Sequence, residues 1–470
     1  MALDSVSPAD VAWVLTSSAL VLLMTPGLAF FYGGLVQGAN VLNTMMMSII
    51  SMGVMAVLWL FVGFSLAFGS GGGAFIGDLG YIGLSGLESV LWPETKLPAM
   101  LFATFQMTFA IIASAIISGA IAERMRFSAF VCFICLWSVL VYAPVCHWTW
   151  GPGGWIDELG AKDFAGGIVV HESTAVSALV LAGLLGPRLR CGQREQEDQP
   201  HNVPFAILGA ALLWFGWSGF NGGSALAADD TAVLALMNTY QAAAASLVIW
   251  ALLERLQHRR ASSASGMVTG AIVGLVIITP AAGFVTPVGA VTMGAVGTVL
   301  VYPSFQLRLR VDDNLDAFPC HGVASFVGAC LTGLLAKEGG LLYGGGWKLL
   351  GAQVLAAVAV AIYTAVATAA IFFVLSRFMA MRVTEDDENA GLDCVCHGEK
   401  AYAGQGTGAP GSDSVSANKR NKQQIAVDLE AQLASVRSVQ SHELSRGHLA
   451  SISAMLSQGR SMRRCYSSSL

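Results

Sequence analysis

The sequence predicts an all-α polytopic membrane protein of eleven transmembrane helices, and three observations carry that prediction. Hydrophobic residues make up 55% of the 470, while charged residues make up only 12%, about half of the ~25% usual in soluble domains. Mean hydropathy is +0.64. Apolar runs long enough to cross ~30 Å of hydrocarbon recur as far as about residue 380. Together these exclude an ordinary soluble enzyme, a disordered chain and a nucleic-acid binder. The net charge of −5 is too small to imply an electrostatic partner.

The first run, 10–36, lacks a basic n-region and a cleavage site and is too long for an h-region, so it reads as a retained helix. Runs at 41–68, 99–121, 127–149 and 168–186 follow, then 203–222, 231–254, 266–285, 288–306, 320–336 and 347–380. The break between the eighth and ninth, around Pro280 and Pro287, is only a few residues long. Alternate loops hold Arg124, Arg126, Arg188, Arg190, Arg194, Arg255, Arg259, Arg260, Arg308 and Arg310, and Arg377 and Arg382 follow the last run. The opposite loops hold only Lys96, Lys162 and Lys337, beside acids such as Asp78, Glu88 and Asp157. This bias places the N-terminus outside and the C-terminus in the cytoplasm.

Residues 1–382 thus form the membrane domain. Residues 383–402 are charged and form a proximal cytosolic tail. Residues 403–470 are Gly/Ser-rich and then Ser/Gln/Arg-rich, the composition of a largely disordered tail with a short helix near Gln423–Val439. Basic residues precede serines there, Arg446 before Ser451 and Arg463-Arg464 before Ser467, which suits a kinase or regulatory protein acting on the tail.

The chain also echoes itself. His171 opens the fifth span and is followed by Leu181, Gly183, Leu184 and Leu185. His321 opens the tenth and is followed at the same offsets by Leu331, Gly333, Leu334 and Leu335. Phe31-Tyr32-Gly33-Gly34 ends the first span as Phe220-Asn221-Gly222-Gly223 ends the sixth. Five spans separate each pair, so the two copies run in opposite directions: an inverted five-plus-five repeat, with the substrate path between the halves.

Ionisable groups within spans are costly and mark function. His171, Glu172 and His321 stand inside, with His147, Asp163 and Asp316 near the edges. In a two-fold repeat the two histidines meet near the midplane; without it they are separate core histidines satisfied by carbonyls. A zinc site lacks further ligands, because adjacent helical residues such as His171 and Glu172 face apart. No serine elbow suggests a hydrolase. No metal, no cofactor and no enzymatic activity are expected. Trp148 and Trp150 end the fourth span, where a tryptophan serves an interfacial belt or offers its ring to a small cation. Cys132, Cys135, Cys320 and Cys330 lie in apolar runs and read as small buried hydrophobes.

These residues and their flanks are familiar. The chain resembles the ammonium transporter family (Amt/Mep/Rh), and its Amt branch more than Rh, over about residues 10–402. The likeness runs through DVAWVLTSSALVLLMTPGLAFFYGGLV (10–36), FQMTFA (105–110), GAIAERMRF (119–127), HWTWGPGGW (147–155) and DFAGGIVVH (163–171). It continues in WFGWSGFNGGS (214–224), VDDNLDAFPCHGV (311–323) and ENAGLDCVCHGEKAY (388–402). The resemblance implies that Trp150, Ser224 and Asp163 recruit ammonium at an outer site. It implies that Phe109 and Phe220 gate the pore, and that His171 and His321 line it and relay protons. Asp163 is equally suited to capping the fifth helix, while Asp313 and Asp316 read as structural. Gly391, Asp393 and Tyr402 match a regulatory tail that docks on cytoplasmic loops, and Cys394, Cys396 and His397 in that segment lack further ligands for a metal.

The family further implies a homotrimer with one pore per subunit, an eleventh helix bracing the bundle, nitrogen uptake and a plasma-membrane location. Bringing bare ammonium into an apolar pore costs on the order of 20 kcal/mol, whereas removing its proton near pH 7 costs roughly 3–5 kcal/mol if it behaves as a lysine ammonium. Deprotonation at the outer site and passage of ammonia are therefore expected, with net charge movement where the proton follows through the histidine pair. A sensor with little flux and a neutral Rh-like gas channel are the alternatives. Two departures stand out: Glu172 after the first histidine, where an uncharged residue is expected, and Ala324-Ser325 after HGV, where a Gly-rich pair is usual.

Overall fold

The computed structural model describes residues 6–189, 200–259, 261–309 and 311–402. Arg190, Arg194, Arg260, Arg310, the segment Gln423–Val439 and the serines of the distal tail lie outside the described residues. Among the described residues, eleven helices are long and apolar enough to cross a membrane. They are α1 Pro8–Leu35, α2 Val41–Phe68, α3 Ala99–Ile121, α4 Phe127–Leu159, α5 Gly167–Leu185, α6 Val203–Gly223, α7 Asp230–Gln257, α8 Ala264–Ala281, α9 Pro287–Phe305, α10 Phe318–Leu335 and α11 Lys348–Ser376. A short helix α12, Glu385–Ala390, follows in the tail, started by a Thr384/Asp387 capping box.

Side-chain caps set several starts. Ser7, Asn202, Asp229, Ser263 and Thr286 each accept a backbone N–H of the first turn of α1, α6, α7, α8 and α9. Proline occupies the first turn of α1, α6 and α9, where its missing N–H costs nothing. The expected fourth span ends near 149, but α4 reaches Leu159, because a turn at Gly151–Gly154 is followed by one further helical turn.

The seam of the bundle is α1 against α6, the spans that the repeat places in equivalent positions. Its closeness explains part of the high glycine content, 53 of 470 residues. A Cβ at Gly34 would lie 2.5 Å from the Ala206 nitrogen, and one at Gly209 would lie 2.1 Å from that of Phe31. Small residues thus let the two backbones meet, the usual device where helices pack without a hydrophobic driving force. The second equivalent pair, α5 and α10, also pack together, while α7, α8 and α9 pack on one another and against α6 and α10. α11 lies along α4, α5 and α10 and is the least buried span, as a bracing helix should be.

Both halves open their fifth span in the same way. α5 starts with a π-helical turn at Gly167–Glu172 and α10 with one at Phe318–Val323. Such turns are rare and recur at functional sites. Each is tied at its start by an acid. Asp163 accepts the N–H groups of Gly166, Gly167, Ile168 and Val169 at 2.7–3.1 Å. Asp313 accepts those of Ala317 and Phe318 at 3.0 and 2.7 Å. Both acids stand eight residues before their histidine, so they belong to the repeat. The structural reading of Asp313 matches this geometry.

Candidate functional site

A line of rings descends between the halves. Trp150, half-buried at the end of the helical stretch Ala143–Trp150 of α4, donates its indole N–H to the Asp163 carbonyl at 2.8 Å. Phe109 of α3 meets it edge-on, with ring centres 6.1 Å apart. Phe109 then stacks on Phe220 of α6 at 4.3 Å, and both phenylalanines are buried. Below them His171 lies 5.7 Å from Phe220 and 5.4 Å from Trp217, nearly parallel to the latter. The two histidines face each other with their Nδ1 atoms 3.2 Å apart and their planes 19° from parallel. The expected meeting of the twin histidines is realised.

That Nδ1 contact requires one ring to donate and the other to accept, so at most one of the two nitrogens carries a hydrogen. His171 Nε2 is buried without a protein partner. Both rings border a narrow cavity otherwise walled by Met24, Leu28, Phe31, Ile112, Leu213 and Trp217, among other apolar side chains. The space open to the centre of a water-sized sphere is about 10 Å³, near the minimum that holds one such molecule. The wall is hydrocarbon and aromatic; the histidine nitrogens are its polar points.

Ser224 caps the C-terminus of α6 and donates its hydroxyl to the Phe220 carbonyl at 2.7 Å, which leaves its oxygen free to accept. Asp163 lies between α4 and α5, with all four of its amide partners at the start of α5. Burial drives its carboxyl up to about 6 against the pull of those four N–H groups. Its carboxylate is therefore occupied in holding α5, and it reaches Trp150 through its carbonyl. The interfacial-belt reading of Trp148 does not match the structure: the residue is 7% exposed and donates to the Phe75 carbonyl at 2.6 Å. His147 is likewise engaged, facing the carbonyls of Ala67 and Gly73 at 2.9 and 2.7 Å.

Trp217 was not singled out by the sequence argument. It flanks His171 and donates to Thr279 Oγ1 at 3.0 Å, and its place three residues before Phe220 was the available signal. Of the departures, Ser325 donates to the Gly167 carbonyl and so ties α10 to the start of α5. Glu172 is buried, with Oε2 unpartnered.

On the side of the basic loops, the proximal tail lies across the turns between spans. Gly391 holds φ +89°, and a Cβ there would meet the Ala39 Cβ at 2.5 Å. Asp393 donates its N–H to the Ala39 carbonyl at 3.0 Å and accepts that of Asn43 at 2.9 Å, capping α2. Tyr402 meets His201, whose other nitrogen faces the Val36 carbonyl, both at 2.8 Å. Arg188 and Asp312 pair at 2.9 Å, and Glu123 joins Arg188 at 2.7 Å. Burial opposes charge on Asp312, but Arg188 outweighs it and holds the carboxyl below its usual range. Arg382 and Glu388 join at 2.9 Å, and Glu388 also accepts the Leu189 N–H. Among the described residues no group of three or more His, Cys, Asp or Glu could hold a metal ion. Cys394 is exposed, Cys320 is buried, and Cys132, Cys135, Cys330 and Cys396 are half-buried.

Residues 12–402 match the Ammonium Transporter Family. An ammonium transporter of Bacillus subtilis is 46% identical over 405 residues, 84% of this chain and 98% of that protein. Ammonium transporter Amt1 of Archaeoglobus fulgidus is 41% identical over 403 residues, 84% of this chain and all of that protein. The crystal structure of Candida albicans Mep2 superimposes with a TM-score of 0.77 at 33% identity, covering 82% of this chain and 88% of that one.

Proposed function

This chain belongs to the ammonium transporter family, and from that premise we propose how a multi-pass membrane protein of this build moves ammonium. Trp150 and Ser224 capture the ion at the outer mouth: the indole face attracts the cation and the free lone pairs of the hydroxyl accept its N–H. Asp163 is a positioning residue there, bracing both Trp150 and the start of α5.

The stacked Phe109 and Phe220 leave no polar partner for a cation. A bare ion costs on the order of 20 kcal/mol in such surroundings, against roughly 3–5 kcal/mol for giving up a proton near pH 7. The ion therefore yields its proton and passes as ammonia. The His171–His321 pair, a donor and acceptor in a dry channel, hydrogen-bonds ammonia and hands the proton inward, so net charge crosses. Potassium has no proton to give and stays out. The observation that carries this reading is the unbroken run of rings Trp150, Phe109, Phe220, His171 and His321.

The chain functions in a plasma membrane as a homotrimer, with its N-terminus outside and residues 383–402 docked in the cytoplasm. Gly391, Asp393 and Tyr402 set that docking, on which a kinase or regulatory protein acts through the distal tail. Uptake of labelled methylammonium by proteoliposomes tests the capture step. Trp150→Leu and Ser224→Ala should raise the half-saturating concentration several-fold and change the maximal rate less. Unchanged half-saturation in both would remove the outer site from the mechanism. Silence of well-folded wild-type protein in every flux assay would favour the sensor alternative.

A further inference from the structure

The carboxyl of Glu172 has no part in the pathway above. It closes the π-helical turn that opens α5, directly after His171, and is 3% exposed. Its Oε2 has no hydrogen-bond partner. Among the described residues, the titratable groups that bear on it are Asp163, from the segment before α5, and Cys330 of α10. α11 packs against the same turn, but the amide of Gln353 is engaged at both ends, with the Lys162 main chain at 2.6 and 2.8 Å. The Lys162 ammonium turns to the Glu338 carbonyl at 3.2 Å and to the Phe284 ring.

The two neighbouring acids are thus unlike. Asp163 has four N–H donors and the N-terminus of α5 to hold a negative charge. Oε2 of Glu172 has none, and of two buried carboxylates within each other's field the second ionises only against the repulsion of the first. Of the two, only Asp163 is built to hold a charge. At the matching place in the other half, 150 residues on, stands Gly322, so this acid belongs to one half only.

We propose that Glu172 is a proton-binding site within the membrane, distinct from the histidine pair, whose ionisation repels Asp163 and thereby loosens the outer site that Asp163 braces. The second half of this rests on the transport reading above; the first half does not. Two measurements keep them apart. The infrared carbonyl stretch of a protonated carboxylic acid is read without transport. It should be present near pH 7 in the reconstituted wild type and missing in Glu172→Gln, with Glu172→Met serving if the amide does not fold. Identical spectra from folded wild type and variant would overturn the proton site.

For the coupling, ammonium-evoked currents are compared at fixed free ammonium. Glu172→Gln mimics the neutral acid, so the ratio of variant to wild-type current should be close to one near pH 7. It should climb at least about threefold as the pH is raised and the wild type loses its proton. A flat ratio across that range, or a variant equally depressed at every pH, would overturn the coupling.

Discussion

Replacing Asp393 by alanine should release the tail from the turns between the spans, and the size of the effect follows from the contacts it loses. Asn40, at the start of α2, makes no side-chain cap of its own; its Oδ1 instead accepts the Leu392 N–H at 2.8 Å. The cap of α2 comes from Asp393, through the Asn43 N–H at 2.9 Å. A hydrogen bond to a charged group is worth about 1.5–3 kcal/mol, and an acid at a helix N-terminus adds about 0.3–1 kcal/mol. Burial of Asp393 raises its carboxyl and opposes these bonds, so the lower end of the sum, about 2 kcal/mol, is the expected loss. That is roughly a 30-fold shift of the docking equilibrium. Hydrogen exchange of the 391–398 amides in reconstituted protein reads it directly, since local opening governs their exchange. Asp393→Ala should accelerate them about 30-fold, and Asp393→Asn, which keeps an acceptor, by less. Unchanged exchange would mean that the tail is held by something other than this cap.

Three further outcomes are expected. Gly391→Ala forces a Cβ against Ala39 at a φ that costs about 1–2 kcal/mol for other residues; it should speed the same amides, and normal exchange would contradict the left-handed geometry. Burial lowers the His397 imidazole, with Asp393 and Glu399 pulling the other way. A base whose docked value is depressed favours docking above its free value and loses that contribution as pH falls through about 6.5. Tail exchange should therefore quicken on acidification, less so in His397→Gln; a pH-independent rate would refute this. Asp163→Ala loses four amide partners and Asp313→Ala two, so Asp163→Ala should lower the melting temperature more. The reverse order would remove the capping account.

Much of the fold was legible because hydropathy alone marks a membrane span. The eleven runs, their order and the Pro280–Pro287 break all reappear in the helices. The repeat was visible from His171 and His321, and the structure adds Asp163 and Asp313 to it. Asp313 was harder to see because a cap is made by backbone geometry, which an isolated acid in a loop does not reveal. Trp148 misled for a related reason: a tryptophan at a span end fits a belt until the Phe75 carbonyl is found beside it. Trp217 hid among other aromatics of α6, since helical spacing does not say which ring faces a pore. The tail contacts were legible only through resemblance, because Gly391 and Asp393 act on Ala39 and Asn43, some 350 residues away in the chain.

The central claim is that ammonium parts from its proton above the phenylalanines and that the histidine pair carries the proton onward. The most direct test is the current across proteoliposomes after an ammonium jump at zero membrane potential, with potassium and His171→Ala as controls. A saturating current, absent with potassium and lost in the variant, is the expected result. Ammonia uptake seen only as a rise of internal pH, with no current, would contradict proton relay and make the pore a neutral channel.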